Sequence, residues 1–459
     1  MGGSRAFRIG FTALLASTLL VALLAVAVES APATSNFGFC GGDDWEPEIA
    51  AQGSFVYGTV AHFVGDPSCD PASASERDIY VRVSSDGGGT FGSLRALPDL
   101  GYPNVVDTVI TVDPVTGAVY NSYLAYGLPG TNQKAADVIV AKSTDHGQTW
   151  SAKVVNGPLC TECDHPWIVA HNNNVYVMYA QGAGHFLSRS SDGGATWHES
   201  LVLTDSHVAF PEGGVVDASG NAWFAWGDCF GSCSGTTAAS YKVSRTLAGT
   251  SNTQFAEVAQ GAMGPHCPPS GACGFAYFGP QDDIAIDAAG TLYLLWQDSQ
   301  TGKPHDPTVL RLSSCASGCT NAANWHLVGR ADDKRASGCP GGDCYALFPR
   351  IEGGAAGRIA VMWMDDRLGQ PLDHMNGWNV WYRSSTTGGQ TWAGPSQRVS
   401  QFDRSRSESH RNGFEFPYGD YQGIDLTSDG RVVMIWGEGH DYTGGPDRPG
   451  HIIYRRLAT

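Results

Sequence analysis

Ser190-Ser191-Asp192-Gly193-Gly194-Ala195-Thr196-Trp197 is written three more times in the chain with small changes. The other copies are Ser84-Ser85-Asp86-Gly87-Gly88-Gly89-Thr90-Phe91, Ser143-Thr144-Asp145-His146-Gly147-Gln148-Thr149-Trp150 and Ser385-Thr386-Thr387-Gly388-Gly389-Gln390-Thr391-Trp392, the last with Thr387 at the Asp position. Alternating apolar runs at 79–83, 138–141 and 380–383 precede the copies and short strand-like runs follow, so each copy reads as the turn of a β-hairpin. The chemistry is local: glycines supply positive φ, the Asp carboxylate accepts backbone N–H groups inside the turn, and the Trp folds back over the hairpin. Burying one indole removes roughly 150–250 Å² from water, an upper estimate of several kcal/mol at about 25 cal/mol per Å².

This motif resembles the Asp box of the bacterial neuraminidase repeat, and the chain resembles the Asp-box β-propellers of the superfamily that includes the sialidases. The resemblance implies an all-β propeller with the boxes on outer hairpins, away from any active site. The box residues are therefore expected to be structural.

A second element recurs, an apolar strand reaching an aromatic, at 119–123, 175–179, 222–226, 292–296, 359–363 and 432–436. Each unit reads strand, turn, strand, loop, strand, box turn, strand. Length alone would allow two or three domains, but the repeat overrides that prior. Seven units open near Trp45, Tyr102, His165, Phe210, Pro280, Phe348 and Phe416. The fourth and fifth lack the box, and in the fifth Cys315 and Cys319 stand where they can hold the hairpin covalently. The last unit stops after 452–455 without a fourth strand, and the residues just before Gly41 are the obvious donor, since closing the ring removes exposed sheet edges. The expected fold is all-β, a seven-bladed propeller with four antiparallel strands per blade, six blades being the alternative.

At the N-terminus Arg5 and Arg8, the apolar run 11–28 and Ala31-Pro32-Ala33 stand in the order of a secretory signal. Residues 1–33 are read as a signal peptide, with a retained N-terminal anchor as the alternative, and 34–459 as one propeller domain. Twelve Cys, an even number clustered at close spacings, suit loops stapled under oxidising conditions. Cys160-Thr161-Glu162-Cys163, beside His165, also has the spacing of a redox or metal motif, but a disulfide is expected there. A formal charge of −17 argues against nucleic acid or an anionic membrane as partner. The expectation is a secreted or cell-surface monomer.

Six long loops, 62–78, 227–239, 260–279, 331–347, 364–378 and 401–418, fall on the face opposite the boxes, where rigid rings carry binding residues. On that face the starts of the innermost strands supply Glu46, Glu48, Asp107, Asp164, His165, Glu212, Asp282, Asp283, Arg350, Glu352, Asp420 and Tyr421. The resemblance implies three arginines clamping a substrate carboxylate, a Tyr nucleophile activated by a Glu, and an Asp acid/base. Arg350, in Phe348-Pro349-Arg350-Ile351, is the inner-strand candidate; Arg367 and Arg411 complete the clamp from loops, Tyr421 with Glu212 forms the nucleophile pair, and Trp167 stacks on a sugar ring. A glycosidase of another specificity would use paired carboxyls, here Asp283 and Asp420. An acidic mouth counts against sialic acid, at about 1–4 kcal/mol for each close pair of like charges.

No metal ligands and no cofactor are assigned, a structural cation such as calcium aside. Arg350 has two conceivable duties, clamping an anionic ligand or neutralising the carboxyls so that the ring can close, and the resemblance favours the clamp. Two functions stay open: an exported glycoside hydrolase acting on extracellular glycans, or a non-catalytic propeller binding a glycan or glycoprotein at the cell surface.

Overall fold

The computed structural model describes residues 1–2, 35–37, 43–63, 78–127, 136–160, 162–182, 184–204, 210–229, 238–262, 280–299, 308–333, 345–365, 367–368, 379–400, 421–439 and 450–457. Residues 33–459 form one compact unit. Its strands fall into seven four-stranded antiparallel sheets, so the blade count is seven and not six. The inner strands, in blade order, are Asp43–Gln52, Asn104–Val112, Asp164–His171, Pro211–Val216, Asp282–Ile286, Ala346–Gly353 and Gln422–Leu426. Each lies against the next, and the seventh returns to the first, closing the ring.

Closure uses the two ends of the chain. Ser35–Asn36 is the fourth strand of blade 7, pairing Ser35 with Tyr454 and Asn36 with Ile453, and the Phe37 N–H donates to the Ile452 carbonyl at 2.7 Å. Phe37 is 1% exposed, packs edge-on against Phe91 at 4.9 Å, and its ring lies beneath the Arg82 guanidinium at 5.4 Å. A three-residue segment, 35–37, therefore ties blade 1 to blade 7.

The second strand of every blade is sandwiched between neighbouring sheets. Val175, Tyr176, Val177, Met178 and Tyr179 are all buried, which is why these strands read as continuous apolar runs rather than alternating ones. Trp45, Trp226, Trp363 and Trp436 are the largest fully buried side chains among the described residues.

The boxes close as their residues dictate. In the Ser190 copy, Ser190 Oγ accepts the Gly194 N–H and donates to Asp192 Oδ1 at 2.7 Å, while Asp192 accepts the Thr196 N–H and hydroxyl. The Ser84 and Ser143 copies repeat this set. Thr387 keeps a reduced version, its single hydroxyl accepting the Thr391 N–H at 2.9 Å. Blade 5 replaces the box with the Cys315–Cys319 disulfide, and Trp325 Nε1 donates to the Cys319 carbonyl much as Trp197 Nε1 does to Gly194.

Box glycines also donate to the first turn of their own blade: Gly87 to Ser54, Gly193 to Asn173, Gly388 to Gly357. Boxes and tight turns thus share one face, leaving the starts of the inner strands on the other. Gly88 shows why glycine is needed: its φ is +80°, and a Cβ there would meet Tyr454 Oη at 2.1 Å.

Candidate functional site

Four inner strands begin with a register shift around a non-glycine residue of positive φ: Glu46 (51°), Asp107 (58°), His165 (55°) and Phe348 (49°). Blade 4 shifts between Pro211 and Gly213. Such bulges re-aim side chains, and the strain they hold is met by bonds that surround them.

Here the bonds run from blade to blade. Glu46 Oε2 accepts the Asp107 N–H at 2.7 Å, His165 Nδ1 donates to the Pro211 carbonyl at 2.6 Å, Asp283 Oδ2 accepts the Ile351 N–H at 2.8 Å, and Asp425 Oδ2 accepts the Ala51 N–H at 2.6 Å. The amides of Gln281 and Gln422 hold Phe348 from either side, the first accepting its N–H and the second donating to its carbonyl. Gly213 permits a close approach, since a Cβ there would lie 2.2 Å from Asp283 Oδ1.

Arg350 reaches across the channel. From blade 6 it donates to Glu48 Oε2 of blade 1 at 2.7 Å and to the Glu212 carbonyl of blade 4 at 3.0 Å, with the Asp283 carboxylate of blade 5 at 3.7 Å. Its guanidinium also stacks on Trp167 of blade 3, 4.5 Å from the ring centre. Trp167, Glu212, Gln281, Asp282, Phe348, Pro349, Arg350, Tyr421 and Gln422 line a cavity of about 10 Å³ beside it, room for one water molecule.

Desolvation dominates the electrostatics. It pushes Glu212 up to about 8 and Glu48 to about 7, both against the pull of Arg350, and raises Asp283 to about 6. Asp282 rises well above the usual range through burial and the nearby Glu212 and Asp283. Burial, with Arg350 adding to it, lowers His165 to about 4, so its ring is neutral where it stacks on Tyr421 at 4.9 Å.

Of the residues singled out in the sequence, Arg350, Trp167, Glu212, Asp283 and Tyr421 come together here. Arg367 does not. It is held by Asp365 at the end of the second strand of blade 6, by Asp333 just after blade 5 and by Ser396, and stacks on Trp381 of the third strand of blade 6 at 3.8 Å. Asp420 and Arg411 lie outside the described residues, as do most of the long loops. Sequence reasoning missed the two glutamines and Phe348. The only signal for them was position, each standing at or beside the start of an inner strand. His165, expected at the start of an inner strand, is turned into the channel by the bulge, where it stacks on Tyr421.

Cys160 and Cys163 form a disulfide just before the blade 3 inner strand, in line with the expectation for that pair. Among the described residues no three His, Cys, Asp or Glu side chains converge as a metal-binding group.

Blades and ring closure make the chain a seven-bladed β-propeller with the repeated box turns at its hairpins. Its fold is similar to that of sialidases of known structure. These include a Hadza microbial sialidase (14% identity, TM-score 0.45, covering 90% of this chain and 65% of that one) and the intramolecular trans-sialidase from Ruminococcus gnavus (12%, 0.45, 92% and 97%). A Trypanosoma rangeli sialidase is similar at 9% identity and TM-score 0.47, over 93% of this chain and 60% of that one. The chain thus spans under two thirds of the Hadza and Trypanosoma proteins, and the likeness is one of fold alone. No protein-family model matches the chain, and no curated protein matches it in sequence.

Proposed function

We propose that this is an exported propeller that binds an extracellular glycan or glycoprotein on the face opposite the boxes, with the channel ring serving as scaffold. The observation carrying this reading is the engagement of Arg350. A clamp for a ligand carboxylate needs a guanidinium edge presented to the ligand, and Arg350 gives Nη2 to Glu48, Nη1 to the Glu212 carbonyl and one face to Trp167, leaving without a hydrogen bond only its buried Nε, 3.7 Å from the Asp283 carboxylate. Arg367 is likewise occupied by carboxylates outside the channel. Export draws support from the signal-like N-terminus and from the two disulfides.

The hydrolytic reading rests on a different observation: Tyr421, Glu212 and Asp282 line one cavity, and Glu212 is raised to about 8, as suits a general acid. A screen of the purified chain, from Thr34 onward, against chromogenic glycosides including sialosides separates the two. The binding reading expects glycan capture on an array with no turnover. Hydrolysis that is lost in Glu212→Gln would replace it with the enzyme reading.

A further inference from the structure

The cavity beside Arg350 has an unusual lining. Asp282 is 1% exposed, and neither of its carboxylate oxygens has a hydrogen-bond partner. Gln422 is fully buried; its Nε2 donates to the Phe348 carbonyl, which can only accept, so the amide orientation is fixed and Oε1 is left as a second unpartnered acceptor. Glu212 completes the lining with another carboxylate.

Charge is unbalanced in the same place. Four carboxyls, Glu48, Asp283, Glu212 and Asp282, meet one guanidinium, and the ion pairs of Arg350 go to Glu48 and Asp283. Buried acceptors without donors, and buried carboxylates without counter-charge, are each costly. A single cation removes both costs at once. Arg350 also lines the cavity, with its guanidinium directed to Glu48, the Glu212 carbonyl and Asp283; the acceptors left in the lining are all oxygen, with neither imidazole nor sulfur among them, and such a set selects hard cations over zinc or copper.

We propose that the cavity between Asp282, Glu212 and Gln422 is a binding site for one hard divalent cation, calcium being the probe. Two carboxylates and one amide oxygen make it a site of modest charge, and its free volume of about 10 Å³ admits one ion stripped of most of its water. The bound ion would tie the inner strands of blades 4, 5 and 7, which carry Glu212, Asp282 and Gln422.

The test is thermal melting of the chelator-treated chain near neutral pH, with and without millimolar calcium and with magnesium and potassium as comparators. Calcium should raise Tm by several degrees, by mass action on the folded state. Asp282→Asn should lose that response while melting, in chelator, no lower than the wild type, because the amide brings a donor to a cavity whose acceptors lack one. Glu212→Gln provides a second arm and should shift the calcium midpoint by about tenfold or more, one lost charge-assisted contact. No response of the wild type to calcium or magnesium, or a response unchanged in both variants, overturns the proposal: the first outcome leaves the cavity to water, the second moves the ion to another part of the chain.

Discussion

Asp283 illustrates what a channel carboxylate does in this ring. One oxygen accepts the N–H of its own neighbour Ile284 at 2.8 Å, the other accepts the Ile351 N–H of the next blade, and Arg350 stands behind it. Replacing it by Asn turns one acceptor into a donor that faces N–H groups, so Asp283→Asn should cost about 1–3 kcal/mol in urea unfolding. A mutant with an unchanged midpoint would deny Asp283 its stitching role. The sequence placed this residue correctly at the channel end of an inner strand. It could not show the partners, because those bonds span long separations, 68 residues for Asp283 to Ile351 and 302 for Arg350 to Glu48. Only the closed ring brings such pairs together, and for the same reason the engagement of Arg350 by Glu48 was invisible while its Phe-Pro-Arg-Ile context was plain.

At the scale of the element, the boxes were legible because every bond that defines them lies within four residues. Asp145 accepts from Gln148 and Thr149 and takes the hydroxyl of Ser143, all inside one turn. These bonds hold the box carboxylates well below the usual carboxylate range, with the Ser and Thr hydroxyls as main causes. Thr387 offers one oxygen where the other boxes offer two. Thr387→Asp should therefore raise Tm by about 1–3 °C, and a fall would show that the fourth hairpin has settled into a different turn. In blade 5 the disulfide closes a loop of only a few residues, so the double change Cys315→Ser, Cys319→Ser should cost about 2 kcal/mol of stability by loop-closure entropy. Denaturant unfolding checks this, and a cost near zero would assign the hairpin to Trp325 instead. The cavity glutamines were not legible at this scale, since Gln281 and Gln422 belong to no repeat and carry no motif.

The whole molecule depends on closure, and the donor segment before Gly41 was foreseeable because the last blade lacked a strand. The place of Phe37 was not foreseeable, since it depends on the gap at Gly58, where a Cβ would lie 2.4 Å from the Phe37 ring. Phe37→Ala should cost about 3–5 kcal/mol, and a loss below 1 kcal/mol would mean that the ring holds without its latch. Closure also sets a pH dependence. Glu352 and Asp425 share the channel; desolvation raises Asp425 to about 7 and, with the nearby Asp425 charge, carries Glu352 well above its usual value. Groups with a raised folded pKa bind protons more tightly in the folded state, so their contribution is full below the unfolded value near 4 and is lost as pH rises through about 7. The box carboxylates act oppositely, contributing above about 4 and losing that contribution as pH falls. With cations chelated, Tm should therefore peak near pH 4–5 and decline towards pH 8; a steady rise from pH 5 to 8 would contradict this balance. The central claim, that the channel ring is a scaffold drawn together by Arg350, is tested most directly by the melting temperature of Arg350→Ala. Stranding Glu48 and Asp283 should cost about 3–5 kcal/mol and lower Tm by about 3–6 °C. An Arg350→Ala protein that melts with the wild type would contradict the scaffold and return Arg350 to the service of a ligand.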